Sequence, residues 1–401
     1  MESLTVAIGG GGTGGHVIPA LAILSALKRQ VKHLEVLYIG ASESLEEQLS
    51  REHGYEFYRV RISGIKRSLT LKNLMIPFIS LIAVYKAGKI IKLRKCRIAI
   101  GTGGYSSFPA VAGAKLAGIP FVLQEQNAFP GMVTRMMSKS AKRIFLGYIE
   151  AEARLKVHPK QVIHTGNPSV FELKGSRDST LGRSSKLDQT PAANWEFDAE
   201  NDPPPHGKGG GSKAEAREIL GLNKGNRTIF ITGGSQGAFT INSVIEAAAK
   251  ELLEMNYNLI WQTGRTFVPQ KEVSQLQGEQ MHLSQFFDSE KMDAAYRAAD
   301  LAVARGGAMT LAELAHAGLP AILVPYPHHK DQHQVMNSKA VETKGGALVI
   351  FNQDLSVESL TETLDIMMDG QKLEKMSDMM KEMAHPDAAD KIADEILRLV
   401  A

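Results

Sequence analysis

Short apolar runs of three to six residues alternate along most of the chain with longer segments whose apolar positions recur at helical spacing. The runs predict strands at residues 4–9, 34–39, 97–100, 121–123, 143–146 and 162–164. A second series follows at 228–232, 259–262, 301–304, 321–324 and 347–350. Strand–helix alternation folds as a parallel sheet covered by helices on both faces, because a parallel return needs a crossover long enough to hold a helix. The alternation runs twice, so the expected class is α/β, with Rossmann-like domains over residues 1–170 and 213–385. A last helical pattern over 386–401 can pack on either half, including back on the N-terminal one.

Residues 171–212 break the pattern. Nine of these 42 residues are apolar and 15 are Gly, Pro or Ser, including Pro203-Pro204-Pro205 and Gly209-Gly210-Gly211. So little apolar surface cannot offset the entropy of ordering, so the segment is expected to be a disordered linker or surface insertion.

Composition narrows the class. Of 401 residues, 43% are hydrophobic and 22% charged, which excludes a fibrous or wholly disordered chain. The lone Cys96 rules out a disulfide framework or a cysteine zinc cluster and fits a reducing compartment. The start has neither the basic nor the apolar region of a signal peptide, and no stretch approaches the ~20 apolar residues of a membrane span. The expectation is a cytoplasmic enzyme.

Charge is unevenly placed. Residues 57–124 carry 12 Lys or Arg and no acid, so the rest of the chain is net −9 against a total of +3. Within this stretch the apolar run 74–85 (LMIPFISLIAVY) is followed by Lys86, Lys89, Lys92, Arg94, Lys95 and Arg97. Two readings stand: a core helix with a solvated basic end, or an apolar and basic surface resting on an anionic membrane. No nucleic-acid motif accompanies the charge, so no nucleic-acid partner is expected.

Three glycine turns carry candidate chemistry. The first strand runs into Gly10–Gly15 and His16, with a helix beginning near Pro19. Glycines let backbone N–H groups approach a ligand, and a helix N-terminus favours a phosphate. The same turn satisfies the dinucleotide fingerprint, with Glu43 as a slightly late acid after the second strand. The strand at 228–232 leads into Gly233-Gly234-Ser235-Gln236-Gly237, which also fits the nucleophile elbow of a hydrolase, with Asp288, Asp300 or His333 as partners. A serine and neighbouring amides holding a diphosphate account for it better. The third turn, Arg305-Gly306-Gly307, opens a helix carrying Glu313 about one turn in, a carboxylate suited to two adjacent sugar hydroxyls or, more simply, to the helix dipole.

In order along the chain stand GGTGGHVIPALAI (11–23), GTGGYSSFPAVAGAKLAGIP (101–120), EQNAFPG (125–131), TGNP (165–168), GGSQGA (233–238), RGGAMTLAELAHAGLPAILVPYP (305–327) and KDQHQVMNSKA (330–340). This ordered set closely resembles the MurG family of peptidoglycan glycosyltransferases, over the whole chain except 171–212. The resemblance implies a GT-B enzyme whose two parallel-sheet domains face across a cleft. It would move N-acetylglucosamine from UDP-N-acetylglucosamine to the lipid-linked acceptor undecaprenyl-pyrophosphoryl-MurNAc-pentapeptide, peripherally on the cytoplasmic face of the cell membrane. It assigns donor contacts to Thr13, Gly14, Gly15, Asn127, Ser235, Ala308, Met309, Thr310, Leu311, Ala312, Glu313 and Gln334. Glu313 would hold the ribose, Gln334 with Asn127 the sugar hydroxyls, and Phe287 would lie beside the uracil. Gly103, Gly104 and Tyr105 match acceptor-side motifs, as does the 125–127 stretch. Two positions depart from the family: Gln124 stands where a His is usual, and Val170 where some members have an Arg.

The family's product is β-linked from an α-linked donor, which implies a single inverting displacement. That needs a base for the acceptor's 4-hydroxyl and positive groups for the departing UDP. His16 is the first candidate, since imidazole titrates near working pH, and Glu125 is the competitor. Arg305 and the helix N-termini could offset the diphosphate charge without a metal. His328, His329 and His333 lack further ligands at zinc-like spacing, so no metal and no cofactor are expected. A nucleotide-sugar epimerase of the same architecture and a membrane-bound lipid-binding module are the alternatives.

Overall fold

The computed structural model describes residues 1–62, 71–169, 212–327 and 332–401, with backbone alone for 71–76 and 289. Two compact units form, one from residues 1–169 with His385–Ala401, the other from residues 212–384. Of the expected linker only Ser212 is described. It caps the helix Lys213–Ile219, its hydroxyl accepting from Glu215 N while the Glu215 carboxylate accepts from Ser212 N.

The first unit is built on a parallel sheet of β1 (Ser3–Gly9), β2 (His33–Gly40), β3 (Glu56–Arg59), β4 (Ile98–Gly101), β5 (Phe121–Glu125), β6 (Arg143–Leu146) and β7 (Val162–His164). Their order is β3-β2-β1-β4-β5-β6-β7. The second unit holds β8 (Thr228–Thr232), β9 (Asn258–Gln262), β10 (Met281–Ser284), β11 (Leu301–Ala304), β12 (Ala321–Leu323) and β13 (Ala347–Val349), in the order β10-β9-β8-β11-β12-β13. The two edge strands β3 and β10 are additional to the sequence reading. Both are short and of mixed polarity, so neither makes an apolar run.

Each order reverses once, between β1 and β4 in the first sheet and between β8 and β11 in the second. At such a reversal the crossovers leave in opposite directions and open a crevice at the strands' carboxyl ends. Gly9 pairs with Gly101, and Thr232 with Ala304, so the two loops at each reversal leave the sheet at one level. These four loops hold all three glycine turns of the sequence.

The last helix, Ala388–Val400, belongs to the first unit. Ala389, Ile392, Ala393, Ile396 and Val400 repeat at three- and four-residue spacing and join one core with Ile23, Leu24 and Leu27 of the helix Gly14–Gln30. Arg29 pairs with Asp390 at 2.7 Å and Arg143 with Glu395 at 2.6 Å. Cys96 is buried, which pushes its thiol up to about 11 and leaves it a packing residue.

The apolar run after residue 70 becomes the helix Leu71–Leu93, with Pro77 inside it. One face, Ala83, Val84, Ala87 and Ile91, is buried. The other face is not: Phe78 is 63% exposed, Leu81 66%, Ile82 57% and Tyr85 64%. The exposed four repeat as i, i+3, i+4, i+7, and Lys89 and Lys92 continue their stripe. A helix buried in the core would not leave them open. No helix among the described residues is long and apolar enough to cross a membrane.

Candidate active site

In the first unit, the loops after β1 and β4 meet through glycines. Gly103 and Gly104 both have positive φ, +95° and +71°. A Cβ on Gly104 would stand 2.0 Å from Gly11 O and 3.0 Å from His16 Cδ2, and one on Gly103 would stand 2.8 Å from His16 Nδ1. Only glycine fits both the backbone and the space, so the pair forms a floor for the imidazole of His16. The ring is half-buried, and its Nδ1 lies 3.1 Å from Gln126 Oε1. Thr102 ties the same turn from below, its hydroxyl donating to His16 O at 2.7 Å. Tyr105 is exposed, with its ring edge against Gly12. Thr13 is exposed at the helix start, and Gly14 and Gly15 form the first turn.

Glu46 was not singled out from the sequence. It follows β2, is buried beneath Gly10–Gly12, and accepts from Gly12 N at 3.3 Å and Ala41 N at 3.4 Å. The Gly12 amide is therefore engaged by a carboxylate within the protein. Glu43, the late acid of the dinucleotide fingerprint, is exposed, and the acid that reaches the turn is Glu46. Nothing in the spacing of residues 43–47 marks which glutamate turns inward.

Glu125, the competing base, is 2% exposed at the end of β5. Its Oε1 accepts from Asn127 N at 3.1 Å and Asn127 Nδ2 at 3.2 Å, and its Oε2 accepts from Gly131 N at 2.9 Å. Both oxygens thus brace the 125–131 loop and hold Asn127 in place. Gln124, at the position of departure, donates to Asn167 Oδ1 at 3.1 Å. Val170 lies outside the described residues.

In the second unit, β8 ends in the turn that carries Ser235, which is exposed. Gly237 has φ +85°, and a Cβ there would meet Thr263 O at 2.2 Å, so this turn is pressed against the loop after β9. Of the acids a hydrolase could pair with this serine, Asp300 is engaged at the far end of β8 and Asp288 caps a helix. Asp300 accepts from Thr228 N at 2.9 Å and pairs with Arg217 and Lys213, each at 2.7 Å, at the start of β8. That is about 13 Å from the strand end that leads to Ser235, at ~3.3 Å per residue. Asp288 caps the helix Ser289–Ala298 through Lys291 N.

The loop after β11 leads from Arg305 into the helix Ala308–His316. Met309 and Leu311 are buried, so within 308–312 their side chains serve the core, and a ligand would meet the first-turn N–H groups and Thr310. Glu313 is half-buried, and Tyr296 donates its hydroxyl to Glu313 Oε2 at 2.7 Å. Burial, with Glu313 beside it, holds the Tyr296 hydroxyl far above its usual range, so it stays a proton donor. Tyr296, which holds the Glu313 carboxylate, has no signal in the sequence, because an aromatic in an amphipathic helix reads as core. Gln334, in the helix His333–Thr343, accepts from Tyr326 N at 2.9 Å.

Two residues expected at the donor have partners within the protein. Phe287 is 2% exposed, its ring packs against Phe230 and His282, and its N–H donates to Gln262 Oε1 at 3.0 Å. Arg305 donates from Nη1 to Val324 O at 2.9 Å and to Asn352 Oδ1 at 2.7 Å, and lies over the Tyr326 ring. Burial pulls its guanidinium down to about 10, still a cation at neutral pH but one that clamps loops. His328 and His329 lie outside the described residues, among which no three His, Cys, Asp or Glu gather as metal ligands.

Comparison with known proteins assigns this architecture. The Glycosyltransferase family 28 N-terminal domain matches residues 6–146, and the Glycosyltransferase family 28 C-terminal domain matches residues 228–392. The UDP-N-acetylglucosamine–N-acetylmuramyl-(pentapeptide) pyrophosphoryl-undecaprenol N-acetylglucosamine transferase of Flavobacterium psychrophilum is 33% identical over 405 residues, covering 100% of this chain and 99% of its own. The crystal structure of Acinetobacter baumannii MurG superposes with a TM-score of 0.72 at 25% identity, over 98% of this chain and 99% of that one. A UDP-GlcNAc 2-epimerase from Neisseria meningitidis shares the fold at a TM-score of 0.62 and 14% identity, over 99% of this chain and 100% of that one. The glycine turns at both sheet reversals, the family matches on both units and one-third identity along the full length agree, and the chain belongs to glycosyltransferase family 28, among its MurG-type transferases.

Proposed function

We propose that the chain transfers N-acetylglucosamine from UDP-N-acetylglucosamine to the 4-hydroxyl of undecaprenyl-pyrophosphoryl-MurNAc-pentapeptide, as a peripheral enzyme on the cytoplasmic face of the membrane. The observation that carries this reading is the one-third identity, over the entire chain, to a transferase of that description. In the displacement the acceptor oxygen attacks C1 of the donor sugar, the bond from C1 to the diphosphate oxygen breaks, and UDP leaves with the electron pair. The hydroxyl proton passes to His16. Imidazole titrates near working pH, whereas both oxygens of Glu125 are occupied by loop amides. Ser235, with the amides at the start of the helix Ala308–His316, holds the diphosphate, Glu313 takes the ribose hydroxyls, and Gln334 with Asn127 takes the sugar hydroxyls. Gly103, Gly104 and Tyr105 line the acceptor side.

The membrane is approached through the exposed face of the helix Leu71–Leu93. Phe78, Leu81, Ile82 and Tyr85 supply apolar area, and Lys86, Lys89 and Lys92 supply charge. Each lysine that reaches an anionic surface adds about 1 kcal/mol, an attraction that weakens as the ~10 Å screening length at 0.1 M salt shortens. An epimerase acting on a free nucleotide sugar would have no use for this face. Co-sedimentation with vesicles tests it. The wild type is expected to bind anionic vesicles at low salt and leave them at high salt, while the triple change of Lys86, Lys89 and Lys92 to Gln binds them weakly. The triple variant should turn over a short-chain soluble acceptor nearly normally and lose rate on the vesicle-embedded one. Equal binding by the two proteins would make these lysines a merely solvated face.

A further inference from the structure

We propose that Gln126 is a positioning residue that sets the tautomer of His16, presenting Nε2 as the basic nitrogen; this rests on the reading of His16 as the base. Gln126 Nε2 donates to Thr102 O at 2.6 Å and to Gln124 Oε1, which uses both of its hydrogens. Thr102 O is a main-chain carbonyl and can only accept. Turning the Gln126 amide over would set two acceptors against each other inside the protein, where an unmade hydrogen bond costs most. The amide therefore has one orientation, and that orientation aims Oε1 at His16 Nδ1. Facing a carbonyl oxygen, Nδ1 carries the proton, and in the neutral ring Nε2 keeps the lone pair.

The orientation is reinforced by a closed circuit. Gln124 Nε2 donates to Asn167 Oδ1 at 3.1 Å, and Asn167 Nδ2 returns to Gln126 O at 2.9 Å. All three residues are buried, and each amide's direction dictates the next. The circuit consists of amides and main-chain carbonyls alone, so no member changes its donors with pH. Titratable groups on the surrounding elements include Glu46 and Tyr38 beneath the glycine turn, Glu125 beside Gln126, Tyr105 against Gly12, His385 against Gly166 next to Asn167, and Tyr148 after Gly147. Gln124 is thereby explained as well, since its side chain both accepts and donates in this circuit.

The tautomer can be read directly by two-bond ¹⁵N–¹H correlation on the full-length protein labelled at its 12 histidines, with His16 identified as the signals lost in His16→Asn. Above the ring's ionisation, the wild type is expected to show protonated Nδ1 and unprotonated Nε2. In Gln126→Met, which keeps side-chain length but removes the acceptor, the population should move toward the Nε2–H form. The same variant should lose kcat by roughly 10- to 100-fold, at or below the range for a general base, with the Kd for UDP-N-acetylglucosamine unchanged. Wild-type His16 found as the Nε2–H form would overturn the proposal without any variant. So would a folded Gln126→Met with wild-type tautomer and kcat. Failure of the underlying reading looks different: His16→Asn would keep its turnover while the wild-type ring still showed protonated Nδ1.

Discussion

His16→Asn is expected to lower kcat by roughly 10²–10⁴-fold, the range for removing a general base. At 1.36 kcal/mol per tenfold, that is about 3–5 kcal/mol of transition-state stabilisation. Asn is chosen because its amide can still donate toward Gln126 Oε1 where Nδ1 stood, at 3.1 Å in the wild type. Melting temperature and donor affinity by calorimetry should therefore stay near the wild type. Glu125→Gln makes the contrast. One of its new side-chain positions becomes an NH₂ group facing an N–H of Asn127 or Gly131, so its principal cost should be stability, about 1–3 kcal/mol. Turnover lost in Glu125→Gln but retained in His16→Asn would exchange the two roles.

Glu313→Gln should weaken UDP-N-acetylglucosamine by about 1–3 kcal/mol, the range for hydrogen bonds to a charged group, or roughly 5- to 150-fold in Kd. Gln is preferred to Ala because the Tyr296 hydroxyl is buried and donates to Glu313 Oε2, and Gln still offers it an oxygen. Ala would orphan that hydroxyl and mix a folding defect with the binding one. With Gln, thermal stability should hardly move. Calorimetry returning the wild-type affinity would remove Glu313 from the donor site.

Much of this was legible in the sequence because parallel strands buried on both faces appear as apolar runs, and loops that meet at a sheet reversal need glycine. The strands β1 and β8 and the three glycine turns all stand out for those reasons. Other features depend on direction rather than residue type. Neither the inward turn of Glu46 under Gly12 nor the reach of Tyr296 to Glu313 leaves a spacing signature. Phe287 poses the opposite difficulty: that its ring is packed in the core does not follow from its place in a motif. The helix Leu71–Leu93 kept two readings open because its exposed and buried faces are both apolar. The exposure of Phe78, Leu81, Ile82 and Tyr85 shows that one of those faces is open, and whether it meets a membrane is what the vesicle experiment decides.

Transfer of the sugar to a lipid-linked acceptor is tested by one incubation. The full-length protein is mixed with UDP-N-acetylglucosamine labelled in the sugar, with or without undecaprenyl-pyrophosphoryl-MurNAc-pentapeptide in vesicles, and label is followed into the lipid fraction and among the nucleotide sugars. Label in the lipid and stoichiometric UDP are expected only when the acceptor is present, with the donor otherwise unchanged. Label that stays on the nucleotide while the sugar's configuration at C2 inverts, with or without acceptor, would contradict the transfer.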